Sequence, residues 1–478
     1  MSLPRAGLLV ALVLLSACAA TPSRTAQTAE CREYLEAIDL RIANAGVRDA
    51  GAQRVAGYPY LRVDRFSASF RREVTDEARF RRWLELLRGL DLRARSAELA
   101  NLGDEKPRQV LEAIDRCGAA LAQLELADAS ARAHLLEATT AADEYYLPAR
   151  VLGAYPLAVP LLDLGIYRFR KEVEADYATP LGDLDHPGTL VRWEATPAET
   201  VPVKEAKAWL AHNDALGIPQ LSPEQWRRLA QTHAPIWWLE QNGDYDRPGA
   251  PVFGGDAVSV DADRPVTYFQ PAYTRLAGKV LVQLVYTVWF AERPSKKIID
   301  PYAGALDGIV WRVTLDAEAQ PLLHDTIHPC GCYHEYFPVW PAVRKPHGGI
   351  WQERALFPQG KVTSAAPVAV RVQSATHYVR RLVEPADAKA QQVRRYELRP
   401  YAELLTLDIG DGRTRSLFGE NGIVSGSERG ERFWLWVSGV PDPGAMRQWG
   451  RHATAFVGRS HFDDSEFLDQ LFELPANK

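Results

Sequence analysis

The segment KVLVQLVYTVWF, residues 279–290, is the strongest structural signal in the chain. Alternate residues are apolar, and the opposite face, which includes Leu281, Val285 and Trp289, is also largely apolar. A period of two predicts a β-strand, and apolar residues on both faces predict a strand that is covered on both sides. We therefore expect this segment to be a central strand of a sheet.

The sequence around this strand predicts a β-rich region over residues 235–478. Residues 266–276 are expected to pair with it through a turn at Ala277-Gly278, and residues 309–315 and 322–327 are expected to form a second hairpin. Further strands are expected at 368–372, 394–398, 404–408, 433–437 and 454–457. A capped amphipathic helix is expected to close the chain at 463–474.

Upstream of this region the apolar period is that of a helix. Residues 75–90 place Phe80, Trp83 and Leu87 on one face, and Asp104 is a candidate cap for the next helix. The sequence predicts a helical domain over 30–180 and a proline-punctuated linker with short helices over 181–234. The expected fold class is therefore α+β, with a helical N-terminal domain followed by a mainly antiparallel β domain and a C-terminal helix.

The N-terminus reads MSLPRAGLLVALVLLSAC, a basic start at Arg5 followed by an apolar run that is too short to span a bilayer. Its last four residues, Leu15-Ser16-Ala17-Cys18, resemble the lipobox of bacterial lipoproteins. The resemblance implies a signal peptide at 1–17, acylation of Cys18 and, because Ala19 is not aspartate, sorting to the outer membrane. The lipid would anchor the protein on the periplasmic side, and the small polar residues 18–29 are expected to be a flexible tether. A plain secretory signal is the alternative.

Export would place the remaining cysteines in an oxidising compartment. Cys31 and Cys117 each lie on an apolar helical stripe, so both sulfur atoms should face one helical core. We predict a Cys31–Cys117 disulfide, and two buried free thiols are the alternative.

Residues 328–334 hold the densest group of chemically active side chains. His328, Cys330, Cys332 and His334 alternate, so in an extended strand all four would project from one face. Sulfur and imidazole donors are those that zinc or copper prefers, although a bend at Gly331 would be needed to wrap one ion. Candidate ligands from elsewhere are His324, His347, His452 and His461.

Three interpretations of this segment remain open, besides an ordinary loop. Cys330 and Cys332 could form a tight disulfide, or the four residues could hold a metal ion for structure or transport. In the third interpretation the cluster lines an active site, with metal-bound water as the nucleophile and a histidine or Glu335 as the proton shuttle. Thiolate ligands need reduced cysteines, which the expected compartment disfavours.

Two further regions are candidates for function. Carboxylates in a loop region could hold calcium, but their spacing is not that of an EF-hand; they are Asp244, Asp246, Asp256, Asp261 and Asp263. The apolar residues 147–166 contain three prolines, Arg150 and Asp163, so a spanning helix is not expected. A buried linker, or an apolar surface facing a membrane or a partner, would explain them.

Composition restricts the functional classes. The 478 residues carry a formal charge of −5 and a pI of about 6.2, which argues against a nucleic-acid partner. No Walker loop, Gly-x-Gly-x-x-Gly or His-Glu-x-x-His motif is present. We expect an outer-membrane lipoprotein with a binding or envelope-accessory role centred on residues 328–334. The alternative is a metal-dependent hydrolase acting on an envelope polymer.

Overall fold

The computed structural model describes residues 24–298, 300–340, 342–346 and 349–473, so the expected signal peptide and Cys18 lie outside it. Eleven α-helices occur in these ranges. They are α1 (Arg24–Ala45), α2 (Arg65–Ser69), α3 (Glu77–Leu102), α4 (Pro107–Ala127), α5 (Ala129–Ala138), α6 (Leu147–Leu152), α7 (Tyr155–Ala178), α8 (Val203–Leu210), α9 (Pro223–His233), α10 (Arg432–Leu435) and α11 (Phe467–Leu471).

The same residues form eighteen strands. They are β1 (Gln53–Arg54), β2 (Arg62–Val63), β3 (Thr189–Ala195), β4 (Ile236–Gln241), β5 (Ala250–Gly254), β6 (Ala257–Asp261), β7 (Val266–Leu276), β8 (Lys279–Arg293), β9 (Gly304–Leu315), β10 (Pro321–Ile327), β11 (Glu335–Pro338), β12 (Val343–Arg344), β13 (Ala369–Val372), β14 (Val379–Val383), β15 (Gln392–Pro400), β16 (Leu407–Asp408), β17 (Thr414–Arg415) and β18 (Phe472–Glu473).

Ten of these strands form one sheet in the order β11-β10-β9-β8-β7-β15-β3-β4-β13-β14. Most neighbours are antiparallel, but β15 runs parallel to both β3 and β7, and β13 runs parallel to β4. The expected α+β class is therefore confirmed: a helical N-terminal region precedes a large, mainly antiparallel sheet domain that ends in a helix and a short strand.

Strand β8 lies inside this sheet, as its sequence predicts. One face, including Leu284 and Tyr286, packs into the largest apolar cluster with Trp311 of β9. On the opposite face, Val285 and Trp289 are also buried, in two other clusters. Both faces are covered, which is why the segment carries almost no exposed polar side chain.

The helices α1, α3 and α4 enclose a second core around Leu35, Trp83 and Leu121. A disulfide joins Cys31 of α1 to Cys117 of α4, so the predicted pairing is confirmed. Helical spacing places each cysteine on the buried stripe of its helix, and packing the two stripes brings the sulfur atoms together.

Several sequence-based boundaries are wrong. The expected linker at 181–234 contains β3, which pairs with β4 and β15 inside the large sheet. Residues 24–29, expected in the tether, belong to α1. Asp104 does not cap a helix but pairs with Arg41, because α4 begins later, at Pro107.

The C-terminal third differs most from the sequence-based expectation. Residues 433–437, expected as a strand, lie in α10 and the 3-10 turn that follows it, and residues 454–457 form no strand. The closing helix is also shorter than expected, because the chain leaves α11 at Phe472 and pairs as β18 with β12.

Candidate functional site

The segment between β10 and β11 is a tight loop. The His328 amide donates to the Cys332 carbonyl at 3.0 Å, and the Gly331 amide donates to the His328 carbonyl at 2.8 Å. Gly331 adopts a left-handed φ of 91°, and an added Cβ would lie 2.3 Å from the Ala453 carbonyl oxygen. The expected extended strand with four donors on one face is therefore wrong, because the loop turns its side chains in different directions.

The two histidines of the loop have different partners. His328 Nδ1 lies 3.1 Å from a carboxylate oxygen of Asp307 on β9. His334 Nε2 lies 2.9 Å from Asp325 on β10, and its Nδ1 lies 3.0 Å from the hydroxyl of Tyr336. Asp325 also pairs with Arg312. His334 thus lies beside the buried ion pair of Arg312 and Asp325, whereas His328 lies beside Asp307.

The two cysteines of the loop are buried and not bonded to each other, so the tight disulfide is not formed. The hydrogen bond between the Cys332 and Cys330 side chains and, second, burial raise the pKa of the Cys332 thiol well above its usual range. A thiol held in its neutral form is a poor nucleophile and a poor metal ligand.

Among the described residues, no group of three or more histidine, cysteine or acidic side chains is placed to hold a metal ion. The expected zinc or copper ligands His328, Cys330, Cys332 and His334 are therefore not assembled into one site. Of the outside candidates, His324 stacks on Trp311 with ring centroids 5.3 Å apart, and His347 lies outside the described residues.

Instead, Asp307 accepts from two histidines. Its Oδ1 faces His328, and its Oδ2 lies 2.8 Å from Nδ1 of His377, which follows β13. Burial alone would raise the pKa of Asp307, but the charges and hydrogen bonds of the two histidines outweigh it and hold this pKa well below its usual range. Asp307 is therefore a buried carboxylate anion.

A second carboxylate lies behind His377. Asp246 Oδ1 is 3.5 Å from His377 Nε2, and Asp246 also accepts from the amides of Asn242 and Ala375 and from the Ser374 hydroxyl, at 2.7 to 2.8 Å. These three donors fix the carboxylate without neutralising it. Asp246 is one of the five aspartates that the sequence offered as candidate calcium ligands. Its partners in the structure are a histidine, a serine hydroxyl and backbone amides.

These four residues, Asp246, His377, Asp307 and His328, form what we call the Asp–His chain. Burial would lower the pKa of His377, but hydrogen bonds to Asp246 and Asp307 outweigh it and raise this pKa above 6.5. Burial lowers the pKa of His328 despite Asp307. The raised pKa favours the imidazolium form of His377 between the two carboxylates, and the lowered pKa favours the neutral form of His328. Such a carboxylate fixes the tautomer of the terminal histidine and raises its basicity.

Backbone strain is concentrated around the Asp–His chain. Four non-glycine residues within or beside it have left-handed φ angles of 54° to 66°. They are Leu306, Tyr333, Ala375 and His377. Each such conformation costs on the order of 1–3 kcal/mol, and strain of this kind clusters at active and ligand-binding sites.

A half-buried arginine, Arg293, lies next to the Asp–His chain. The Arg293 guanidinium lies 5.0 Å from the ring centroid of Tyr378, 5.7 Å from that of Tyr302 and 5.8 Å from that of Tyr333. It donates to the Tyr378 hydroxyl at 3.0 Å and forms no salt bridge with a described residue. We call these four residues the Arg293 site. Rings of Tyr333 and Tyr378 also contact His328, so the site and the chain are continuous.

The rim of the Arg293 site carries both charge signs. Lys296 and Lys297 are exposed on the loop after β8. Glu431 is buried, and burial raises its pKa to about 7 although Arg293 and Arg429 act in the opposite direction. A carboxyl with this pKa is partly protonated near neutral pH and can donate a proton.

A cavity of about 780 Å³ lies elsewhere, between α2, α5 and the C-terminal segment. Its lining includes Arg65 and His461, the second of which was a candidate outside ligand. Arg65 pairs with Asp463 and Asp464, and His461 lies 3.6 Å from Asp464. Arg71 and Arg72 also line this cavity, but its lining contains no residue of the Asp–His chain, so it is a weaker candidate than the Arg293 site.

Sequence reasoning found His328 but missed Asp307, His377, Arg293 and Tyr378. Two of these residues had a signal in the sequence, because each is a charged residue in a mainly apolar strand. Arg293 is the last residue of β8, and Asp307 interrupts the apolar part of β9. His377 carried no local signal, because 70 positions separate it from Asp307.

No helix in the described parts of the chain is long and apolar enough to cross a bilayer. Comparison with models of protein families, with curated proteins and with solved structures found no match for this chain.

Proposed function

We propose that this chain is an outer-membrane-anchored lipoprotein of the periplasm that binds a small oxyanion of the cell envelope at the Arg293 site. The observation that carries the binding role is Arg293 itself. Its guanidinium is half-buried, is oriented by Tyr378 and forms no salt bridge with a described residue. A partly desolvated guanidinium with free donors favours a bidentate phosphate or carboxylate.

The surroundings support an anionic ligand. The raised pKa of His377 favours a positive charge beside the two carboxylates of the Asp–His chain, and Lys296 and Lys297 add positive charge at the rim, where Asp300 on the same loop offsets part of it. Tyrosine hydroxyls supply neutral donors beside the guanidinium. An oxyanion would thus meet donors from several elements, which gives geometric selection as well as charge attraction.

The anchoring part rests on the lipobox resemblance at Leu15-Ser16-Ala17-Cys18. The Cys31–Cys117 disulfide supports export, because disulfides persist in oxidising compartments such as the periplasm. Labelling cells with a fatty acid tests the anchor. Wild-type protein should carry the label and sediment with outer membranes, whereas Cys18→Ser should lose both. Label that persists in Cys18→Ser would overturn the anchor.

Titration calorimetry with inorganic phosphate, and separately with acetate, tests the binding site. Charge-assisted hydrogen bonds contribute about 1.5–3 kcal/mol each, so Arg293→Gln should weaken binding by roughly ten-fold or more. Arg264→Gln, at an exposed arginine paired with Asp261, is the matched control. Absence of binding by wild-type protein, or equal loss in both variants, would overturn the proposal.

A second candidate, hydrolysis of a phosphate ester without a bound metal, is favoured by the Asp307–His328 pair. Water would attack phosphorus while His328 takes its proton, the ester P–O bond would break, and the leaving oxygen would take the proton of Glu431. Release of nitrophenol from bis(p-nitrophenyl) phosphate measures this reaction. We expect His328→Gln to abolish it and Arg264→Gln to retain it. No release by the wild-type protein would reject hydrolysis of this class.

A further inference from the structure

The apolar segment 147–166 is a helical hairpin with an exposed apolar face. Helix α6, a short turn and the first half of α7 bury Val159 and Leu162 against Val457. On the outer side the side chains of Leu152 and Leu157 are 80% and 81% exposed, and that of Leu161 is 73% exposed. Monomeric soluble proteins seldom expose so many leucines on one continuous face.

A second element continues this face. Val437 of the turn after α10 packs against the hairpin, where an added Cβ at Gly153 would lie 2.7 Å from it. The residues before Val437 leave large aromatic side chains in solvent, including Phe433, Trp434 and Trp436. The hairpin and α10 therefore form one surface, which we call the apolar face.

The outer stripe of α7 changes from apolar to charged along its length. Leu157, Leu161 and Leu164 follow one another at helical spacing, and Arg168 and Lys171 continue the same exposed stripe. Arg168 lies about 16 Å along the axis from Leu157 at about 1.5 Å per residue. This length matches one half of the roughly 30 Å hydrocarbon core of a bilayer.

The only acidic side chain exposed between 147 and 168 is Asp163. It stands two positions after Leu161, and residues at that spacing do not share a face of a helix. Its charge lies near Arg170, on the flank of the hairpin and away from the leucine stripe.

The apolar face adjoins the Arg293 site. Phe169, one residue beyond the basic Arg168, has its ring centroid 4.9 Å from that of Tyr333 and 5.5 Å from that of Tyr378. On the other side, α10 begins directly after Glu431. If a membrane covered the apolar face, the boundary between its hydrocarbon and its headgroups would therefore lie at the level of the Arg293 site.

We propose that the apolar face inserts into one leaflet of a bilayer, so that the oxyanion bound at the Arg293 site is the headgroup of an anionic lipid. This inference rests on the proposed function and specifies its ligand as an amphiphile. Leucines with helical, internally hydrogen-bonded backbone suit hydrocarbon, and exposed tryptophans beside basic residues suit the headgroup region. Arg168 on the α7 stripe forms no salt bridge with a described residue and matches anionic lipid in charge, whereas Lys171 is paired with Glu174 at 2.7 Å.

The test uses the full chain carrying Cys18→Ser, so that no acyl group contributes to binding. Vesicles of phosphatidylethanolamine with phosphatidylglycerol are sedimented with the protein, and vesicles of phosphatidylcholine are the comparison. We expect binding to the anionic vesicles. Leu157→Glu and Leu161→Glu should each lower the partition coefficient by roughly ten-fold or more, because each replaces a leucine that would lie in the hydrocarbon with a charged side chain. Arg168→Gln with Lys171→Gln should remove the preference for anionic vesicles.

Leu40→Glu is the matched control, since Leu40 is 62% exposed on α1, away from the apolar face. It should bind as strongly as the parent protein. As a measurement independent of variants, brominated acyl chains should quench part of the tryptophan fluorescence, and Trp434→Phe with Trp436→Phe should reduce that quenching.

Absence of vesicle binding, or equal loss in Leu40→Glu, would overturn the membrane inference. So would self-association in solution that Leu157→Glu abolishes, because a second copy would then cover the face. These failures differ from failure of the proposed function, which is measured by Cys18 labelling and by phosphate titration.

Discussion

Replacing Asp307 with asparagine removes one charge from the centre of the Asp–His chain and keeps the side-chain shape. Asp307 is 1% exposed and faces His328 at 3.1 Å and His377 at 2.8 Å. In Asp307→Asn the charged His377 would keep only Asp246, at 3.5 Å. Burial already lowers the pKa of His377, and the loss of one opposing carboxylate should let that effect dominate.

The size of the effect follows from the broken contacts. Removing one partner of a buried ion pair costs about 3–5 kcal/mol, and hydrogen bonds to charged groups contribute about 1.5–3 kcal/mol each. Because the asparagine still fills the site, no cavity adds to this. We expect Asp307→Asn to lower the free energy of unfolding by about 3–5 kcal/mol.

The loss should depend on pH. The pKa of His377 is raised, so its stabilisation is complete below its ordinary value of 6.5 and is lost as the pH rises through the folded-state pKa. The pKa of Asp307 is lowered, so its stabilisation is present above 3.8 and is lost as the pH falls through the folded-state pKa. The difference between wild type and variant should therefore be largest between these limits, near pH 5.5, and smaller near pH 9.

Urea unfolding followed by circular dichroism at both pH values measures this difference, and titration of the histidine rings by NMR measures the pKa of His377 directly. Asp244→Asn is the matched control, because its carboxylate is 91% exposed and lies two positions before Asp246. If the pKa of His377 is unchanged in Asp307→Asn, or the two variants are equally stable, the ionic description of the chain is wrong.

Three further changes have expected outcomes. Replacing Cys31 and Cys117 together with serine opens a loop of 86 positions and should lower the free energy of unfolding in urea by about 4–5 kcal/mol, and no loss would contradict a constraining role for the bridge. Burial lowers the pKa of His324 to about 3, so the free energy of unfolding falls as the pH drops below 6.5. His324→Phe should reduce the loss between neutral pH and about pH 5 by about 2 kcal/mol. An unchanged dependence of the free energy of unfolding on pH would count against this. Gly331→Ala places a Cβ against the carbonyl oxygen of Ala453 and should destabilise the protein by about 2 kcal/mol more than Gly57→Ala. Gly57 has a similar φ, but a Cβ added there has no atom within 4 Å. Equal changes in melting temperature for the two variants would refute the clash.

Local sequence patterns correctly predicted the helices and strands in which buried residues recur at a constant spacing. Strand β7 begins and ends where alternation places it, and β8 extends the expected central strand by three residues. The Cys31–Cys117 pairing was predictable because helical spacing turns each sulfur toward the same core. In these cases the period of the apolar residues equals the period with which side chains return to one face of the helix or strand.

Local patterns were misleading where packing overrides intrinsic preference. Residues 433–437 are aromatic and β-branched, which favours a strand, yet they form α10 and its following turn. Their aliphatic members, Leu435 and Val437, pack against the helical hairpin of α6 and α7, and no strand pairs with them. Propensity for a strand decides little without a neighbour that supplies hydrogen bonds.

The amino-acid order alone therefore predicts the helical and strand-rich halves, the buried face on which each bridged cysteine lies and the segment that resembles a lipobox, since each is read from residues a few positions apart. The meeting of His377, Asp307, His328 and Arg293 depends on how β8, β9 and β13 are placed in the sheet. Pairing between distant strands is decided by long-range hydrogen bonds and by burial, which leave no trace in local spacing. The position of the exposed leucine face beside that site is likewise a property of the folded chain.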